Sequence, residues 1–381
     1  MQQGRLQTHP QHHPERAQQD AFIGGRSPLH NAADHEVNAP ARRRWKRRGR
    51  ASWLILAQLY LAAAWLNGDP EVAAQALPLR YAQAYSAMRS IFSLPISIAD
   101  RQGFFRLEGL DFHVVVPLPG GADRMLDSLH DGTADVTHIA TAFLIRAVLN
   151  GSDAVAIAGE FNNPVYSLIA RPAVKNIIDL KGRLIGLADE AGTITISTRK
   201  LLQKHGLTDG DFRVKIIEGT PARFTCLRHG DCEAVPLGQP QDLLALNEGY
   251  HLLGLSTEVV PDFLYTVTAV RRPWAETHKE ALVRYVRALG AAFTFIRDPA
   301  KRSSVIKTIV ETTGSTEAVA KQTLGLFFEP ERGVLPKKAE INLKGLEQVI
   351  AFMGEAGNLK SPLPAAERFV DLRYLHTAGI K

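Results

Sequence analysis

Residues 179–205 read DLKGRLIGLADEAGTITISTRKLLQKH, and their order decides the fold. The turn Asp179-Leu180-Lys181-Gly182 leads into the apolar run 184–187, which reads as a short strand. Gly192 and the threonine-rich stretch after it open a helix expected over 193–205, stopped by Gly206. This is one strand-turn-helix unit. The same alternation runs outward in both directions. Upstream, strands are expected at 79–85, 112–116, 134–138, 154–158 and 166–170, with helices at 91–105, 122–129 and 142–149 between them. Downstream, strands at 213–218, 233–237, 251–255 and 264–270 alternate with helices at 221–229 and 241–247. Short apolar strands separated by helices predict an α/β protein with mixed, mostly parallel sheets. The last third is helical. Leu282, Val286, Leu289, Phe293 and Ile296 form one apolar stripe, and Leu343, Leu346, Val349, Ile350 and Met353 another. Both read as core faces.

Far upstream lies a different signal. Residues 42–50 carry Arg42, Arg43, Arg44, Lys46, Arg47, Arg48 and Arg50. Residues 51–66 follow without a charge, and small residues then end in Ala74-Gln75-Ala76. A cationic segment, a short hydrophobic core and an Ala-x-Ala end make up an export signal, expected over 42–76. The apolar run falls short of the roughly 20 residues that span a bilayer, so an uncleaved anchor is the weaker reading. No cysteine follows the run to carry a lipid. Residues 1–41 are rich in Gln, His, Pro and Ala and are expected to be a disordered leader, with translation starting nearer the basic run. His9, His12 and His13 lie among prolines there with no partner element, and no metal site is expected.

The whole chain has 45 Lys+Arg against 39 Asp+Glu. Ten and six of these fall within the first 76 residues, leaving the remainder at +2. Without a basic stripe, nucleic acid is excluded as the expected partner. The residues beyond 76 suffice for one large or two medium domains. Cys226 and Cys232 could form a disulfide in an oxidising compartment or stay reduced and buried; spacing leaves both open. Two cysteines at this spacing lack the further ligands of a zinc site. No Gly-x-Ser-x-Gly elbow, HExxH or Walker loop occurs, so no catalytic residues are expected. Asp123 and Asp127, four apart, read as a solvated helix face.

From about 79 to 375 the chain resembles the substrate-binding proteins of ABC importers for nitrate, sulfonates, taurine and thiamine precursors. The resemblance rests on Gly103-Phe104-Phe105 and Glu108-Gly109-Leu110, then Pro119-Gly120-Gly121 before a helix, then Leu129, Gly132 and Ala134-Asp135-Val136. It continues in Asp179-Leu180-Lys181-Gly182, Leu184-Ile185-Gly186 and Gly192. It implies a two-lobed, type II periplasmic-binding-protein-like fold with a hinge and an interlobe cleft. Lobe 1 would hold 77–170 and 265–381, and lobe 2 would hold 171–264. It implies an extracytoplasmic, periplasmic protein that captures a small-molecule ligand and delivers it to an ABC permease in the inner membrane. The protein would act as a monomer and without a cofactor. Two further classes stay open: a ligand-sensing module for a membrane receptor, and an enzyme of thiamine-pyrimidine synthesis. The latter needs a cysteine cluster with iron, which two separated cysteines do not supply.

In open α/β sheets ligands sit outside the carboxyl ends of the strands, at loops leading into helix N-termini, whose free N–H groups suit anions. The turns so placed nominate Ser86 and Ser90, Gly120 and Gly121, His138 and Thr141, and Asn162. In the second lobe they nominate Gly192, Thr193, Thr195 and Gln239, with Tyr265 on the returning crossover. Relatives often carry a Trp and an acidic residue after the strand ending at Leu237, where this chain has Gly238 and Gln239. Arg89, Arg146 and Arg223 are candidate cations, each expected rather to be solvated. These turns suit an anion held by neutral donors (sulfonate, nitrate, carboxylate or thiamine-precursor type), or an aromatic polar molecule.

Overall fold

A computed structural model of the chain describes residues 75–115, 122–260, 262–328 and 333–381. It contains two five-stranded sheets. The first is built from β1 (Leu77–Ala82), β2 (Leu110–Val115), β3 (Val136–Ala140), β4 (Ala154–Phe161) and β10 (Thr266–Arg271), in the order β2-β1-β3-β10-β4. The second is built from β5 (Ser167–Ala170), β6 (Leu184–Leu187), β7 (Arg213–Ile216), β8 (Ala234–Leu237) and β9 (His251–Leu255), in the order β7-β6-β8-β5-β9. In each sheet the first three strands of that order run parallel. In each, one strand arriving from the other sheet is inserted antiparallel: β10 between β3 and β4, and β5 between β8 and β9. The mixed, mostly parallel α/β architecture expected from the sequence is therefore present.

The strand sequences explain their places. Every residue of β4 is buried, matching its continuous apolar run and its cover on both faces. β7 is exposed along its length, and Arg213 and Lys215 blunt that open edge. In β5, Leu168 and Ala170 join one core while Ile169 joins the core on the opposite face, as a period of two requires. The C-terminal helices cover the first sheet. Helix Lys279–Arg297 contributes Leu282, Tyr285, Val286, Leu289 and Phe293 to its core.

The chain crosses between the sheets twice, at 162–166 and 256–265. The two crossings are laced together. The Tyr265 N–H donates to the carbonyls of Phe161 (2.8 Å) and Asn162 (2.9 Å), and Ser256 N–H to the carbonyl of Tyr166 (2.9 Å). The Tyr166 N–H in turn donates to Ser256 Oγ at 2.9 Å. The expected division at residue 170 falls one strand late, because Ser167–Ala170 pairs with β8 and β9. Local pattern carries no cue to which sheet that apolar run joins. The expected leader and export signal lie outside the described residues, save Gln75 and Ala76. Among the described residues no helix is long and apolar enough to cross a membrane.

Cys226 and Cys232 form a disulfide with Cα atoms 5.4 Å apart, which decides between the two states left open above. It ties the last turn of helix Thr220–His229 to the residues leading into β8. Closing so short a loop limits the unfolded chain only modestly, so reduction is expected to cost about 2 kcal/mol. Urea midpoints with and without a phosphine reductant check this; coincident midpoints would refute it.

Candidate functional site

The two sheets present the carboxyl ends of their parallel strands to the pair of crossings. On the first side, Thr141 follows β3, Asn162 follows β4, and Tyr265 precedes the inserted β10. On the second, Asp189 lies just beyond β6, Ile217 follows β7, Gly238 follows β8, and Tyr166 precedes the inserted β5. This is the position where α/β sheets bind ligands.

Four aromatic rings meet there. Phe92 packs edge-on against Phe161 (centroids 5.0 Å) and Tyr265 (5.5 Å), and stacks on Tyr166 (5.8 Å). The Tyr265 hydroxyl donates to the Tyr166 hydroxyl at 3.3 Å. Burial pushes the Tyr265 phenol well above its usual range and raises that of Tyr166, where nearby Arg223 opposes the rise. Both phenols are therefore neutral donors and acceptors at neutral pH.

The second-sheet wall carries charge. Arg223 is only 2% exposed. Its Nε donates to the Pro236 carbonyl (2.8 Å), Nη1 to the Ile217 carbonyl (3.1 Å), and Nη2 to Thr220 Oγ1 (3.1 Å). This overturns the expectation of a solvated arginine. Arg223 sits one turn into helix Thr220–His229, and its side chain reaches back under the ends of β7 and β8. Gly238 leaves room for Tyr166: a Cβ there would lie 3.2 Å from the tyrosine Cε1. Asp189 stands near Arg223, Tyr166 and Tyr265 and interacts with each electrostatically. Its Oδ1 accepts the N–H of Gly192, the N-cap of helix Thr193–Lys204. Gln239 donates through Nε2 to Asp242 (2.6 Å), which also accepts from the Ser167 hydroxyl (2.7 Å). Burial raises the Asp242 carboxyl above its usual pKa.

The model of the NMT1/THI5-like family matches residues 92–301, more than half of the chain. The chain belongs to this family. It is 22% identical over 288 residues to YtlA of Bacillus subtilis, named as a candidate binding protein, covering 72% of this chain and 83% of that one. Its fold is similar to the ligand-binding component of an ABC-type import system from Staphylococcus aureus, crystallised with zinc (TM-score 0.65, 14% identity, 79% of this chain and 99% of that one). It is similar to the alkanesulfonate-binding protein SsuA of Xanthomonas axonopodis pv. citri, bound to MOPS (TM-score 0.60, 18% identity, 77% and 98%). The fold also occurs in an enzyme, the desulfurization enzyme DszB (TM-score 0.58, 14% identity, 79% and 98%).

Within this member of the family, the nominated residues separate into groups. Thr141, Thr193 and Gln239 are buried at the strand ends. Their hydroxyls or carbonyl oxygen, and the Asn162 Oδ1, have no hydrogen-bond partner among the described residues. The buried Thr266 hydroxyl beside Tyr265 is likewise unpartnered. Ser90 and Thr195 are occupied locally. Ser90 caps a turn, accepting from the Phe92 N–H and donating to the Ala87 carbonyl. Thr195 closes the loop before its helix by bonding the Asp189 backbone. His138 is turned into the first sheet, its Nδ1 bonded to the buried Glu160. Gly192 does lie at a helix start, but its N–H is taken by Asp189. Gly120, Gly121 and the side chain of Ser86 lie outside the described set. Asp189 was not nominated, and Arg223 was named only as a candidate cation expected to be solvated. Asp189 stands in a strand-to-helix turn and Arg223 one turn into the helix that follows another, positions that could have found them.

Proposed function

We propose that this protein is an extracytoplasmic solute-binding protein that holds a small molecule between its two sheets and delivers it to an ABC importer. The observation that carries this is the set of buried, unpartnered oxygens on Thr141, Asn162, Thr193, Gln239 and Thr266, gathered where the strand ends and crossings meet. Buried polar groups are normally satisfied, so five in the strand-end turns and crossings point to a polar solute. The two laced crossings supply the hinge. The lobes would be 77–166 with 266–381, and 167–265. A solute touching both lobes favours the closed arrangement because it binds that state better.

The sulfonate-binding neighbour and the membership of the family support a small anion or a polar aromatic solute. The basic and apolar stretch at 42–66 supports export, placing the protein outside the inner membrane. Both cysteines are bonded to each other, so neither offers a thiol nucleophile, which favours binding over chemistry. The protein works as a monomer beside its permease.

Native mass spectrometry of the purified protein, followed by thermal shift with alkane- and arylsulfonates, nitrate, aromatic carboxylates and pyrimidines, tests the reading. A true ligand at about 100 times its Kd is expected to raise Tm by about 4 °C. Absence of any co-purified solute, together with no shift for any compound in ligand-free protein, would overturn it.

A further inference from the structure

We propose that Arg223 is the residue that selects the solute's charge: it receives a carboxylate, sulfonate or similar oxyanion of the bound molecule. The proposal rests on the solute-binding reading and deepens it.

Arg223 is the largest fully buried side chain among the described residues. Its three hydrogen bonds go to two backbone carbonyls and a threonine hydroxyl, all neutral acceptors. No carboxylate among the described residues lies within ion-pair distance of it. A guanidinium carries five N–H donors, so this set leaves donors over. A buried charge without a counter-ion is costly, and proteins keep one where something else supplies the opposite sign. The carbonyls of Ile217 and Pro236 fix the plane of the fork, which spares a ligand the cost of ordering it. The fork lies at the carboxyl ends of β7 and β8, beside the two tyrosine hydroxyls.

Asp189 explains why the anion belongs here and not at the helix start. A helix N-terminus is the ordinary anion seat of such turns. In this chain the Asp189 carboxylate already accepts the Gly192 N–H, and a Cβ on Gly192 would meet that carboxylate at 2.3 Å. That carboxylate takes one N–H of the seat and its charge opposes an anion there, so Arg223 is the buried cation left for the solute. The rest of the molecule would pack on the Phe92, Tyr166 and Tyr265 rings. A donor on it would satisfy the Gln239 carbonyl oxygen.

Calorimetry at low salt with shape-matched pairs tests this: benzenesulfonate against benzenesulfonamide, and benzoate against benzamide. At least one anion is expected to bind roughly tenfold or more tightly than its neutral partner. R223Q is expected to abolish that preference. D189N leaves Arg223 in place and removes the opposing charge, so it should widen the preference for the anion over its neutral partner roughly threefold. Equal binding within each pair, or an unchanged preference in D189N, overturns the assignment whatever R223Q does to stability. If none of the four binds but native mass spectrometry finds a neutral solute, the Arg223 assignment falls and the binding reading stands. If no solute binds at all, both fall.

Discussion

Gly345→Ala is expected to lower the stability of the protein by about 3 kcal/mol, and to weaken binding of any solute held at the crossings. Gly345 lies in the first turn of helix Leu343–Glu355. A Cβ there would stand 2.4 Å from the carbonyl carbon and 2.5 Å from the carbonyl oxygen of Phe263, in the second crossing. Neither atom belongs to a flexible side chain, so helix or crossing must shift. Phe263 also packs edge-on against Phe352 of the same helix (5.4 Å), so the displacement would open a core contact as well. The crossing that moves carries Tyr265 two residues on. Urea unfolding checks the stability, and titration with the solute found by mass spectrometry checks the second effect. A midpoint like that of the unsubstituted protein would show that the helix start has slack the distances do not suggest.

His138→Ala is expected to cost about 3–5 kcal/mol at neutral pH, through the charge it strands. Glu160 is fully buried. Its carboxylate is bonded by His138 Nδ1 on one oxygen and by the Thr268 hydroxyl, at 2.6 Å, on the other. Thr268 lies 3.0 Å from the Tyr285 hydroxyl. Burial first, and the Glu160 carboxylate second, push the Tyr81 and Tyr285 phenols well above their usual range, so both stay neutral and add no second negative charge beside Glu160. Without the imidazole, Glu160 keeps one hydroxyl donor. The double variant His138→Ala with Glu160→Leu should recover much of the loss, because it removes the charge together with its partner. A single-variant cost below about 1 kcal/mol would show that water replaces the imidazole.

Much of the fold was legible because strands and helices alternate with clean boundaries. Strands β6 and β9 match the expected 184–187 and 251–255 residue for residue. Both inserted strands were read as strands, at 166–170 and 264–270, but the residues alone did not say which sheet each enters. Whether 167–170 and 266–271 pair near or far is a long-range choice that local pattern does not encode. Tyr85, read as the end of the first strand, instead opens a short helix, Tyr85–Met88. At the site, the strand-end turns drew attention to Thr141, Thr193 and Gln239, whose hydroxyls or carbonyl oxygen the fold leaves buried without a hydrogen-bond partner among the described residues. The same rule overreached at Ser90 and Thr195, since a hydroxyl at a helix start caps as readily as it binds. Arg223 was named as a candidate cation but read as solvated, because arginine reads as surface by type. Only the fold brings the carbonyls of Ile217 and Pro236 to its guanidinium.

The placement of β10 bears on how the polypeptide matures. All five strands of the second sheet come from the unbroken stretch 167–255, so that sheet can be completed from consecutive chain. The first sheet cannot. β3 and β4 end by residue 161, yet the strand that joins them begins at Thr266. During synthesis, two hydrophobic strands must therefore wait, edges bare, while roughly a hundred residues emerge. That interval favours early closure of the second half and exposes the first half to chaperones and to mispairing.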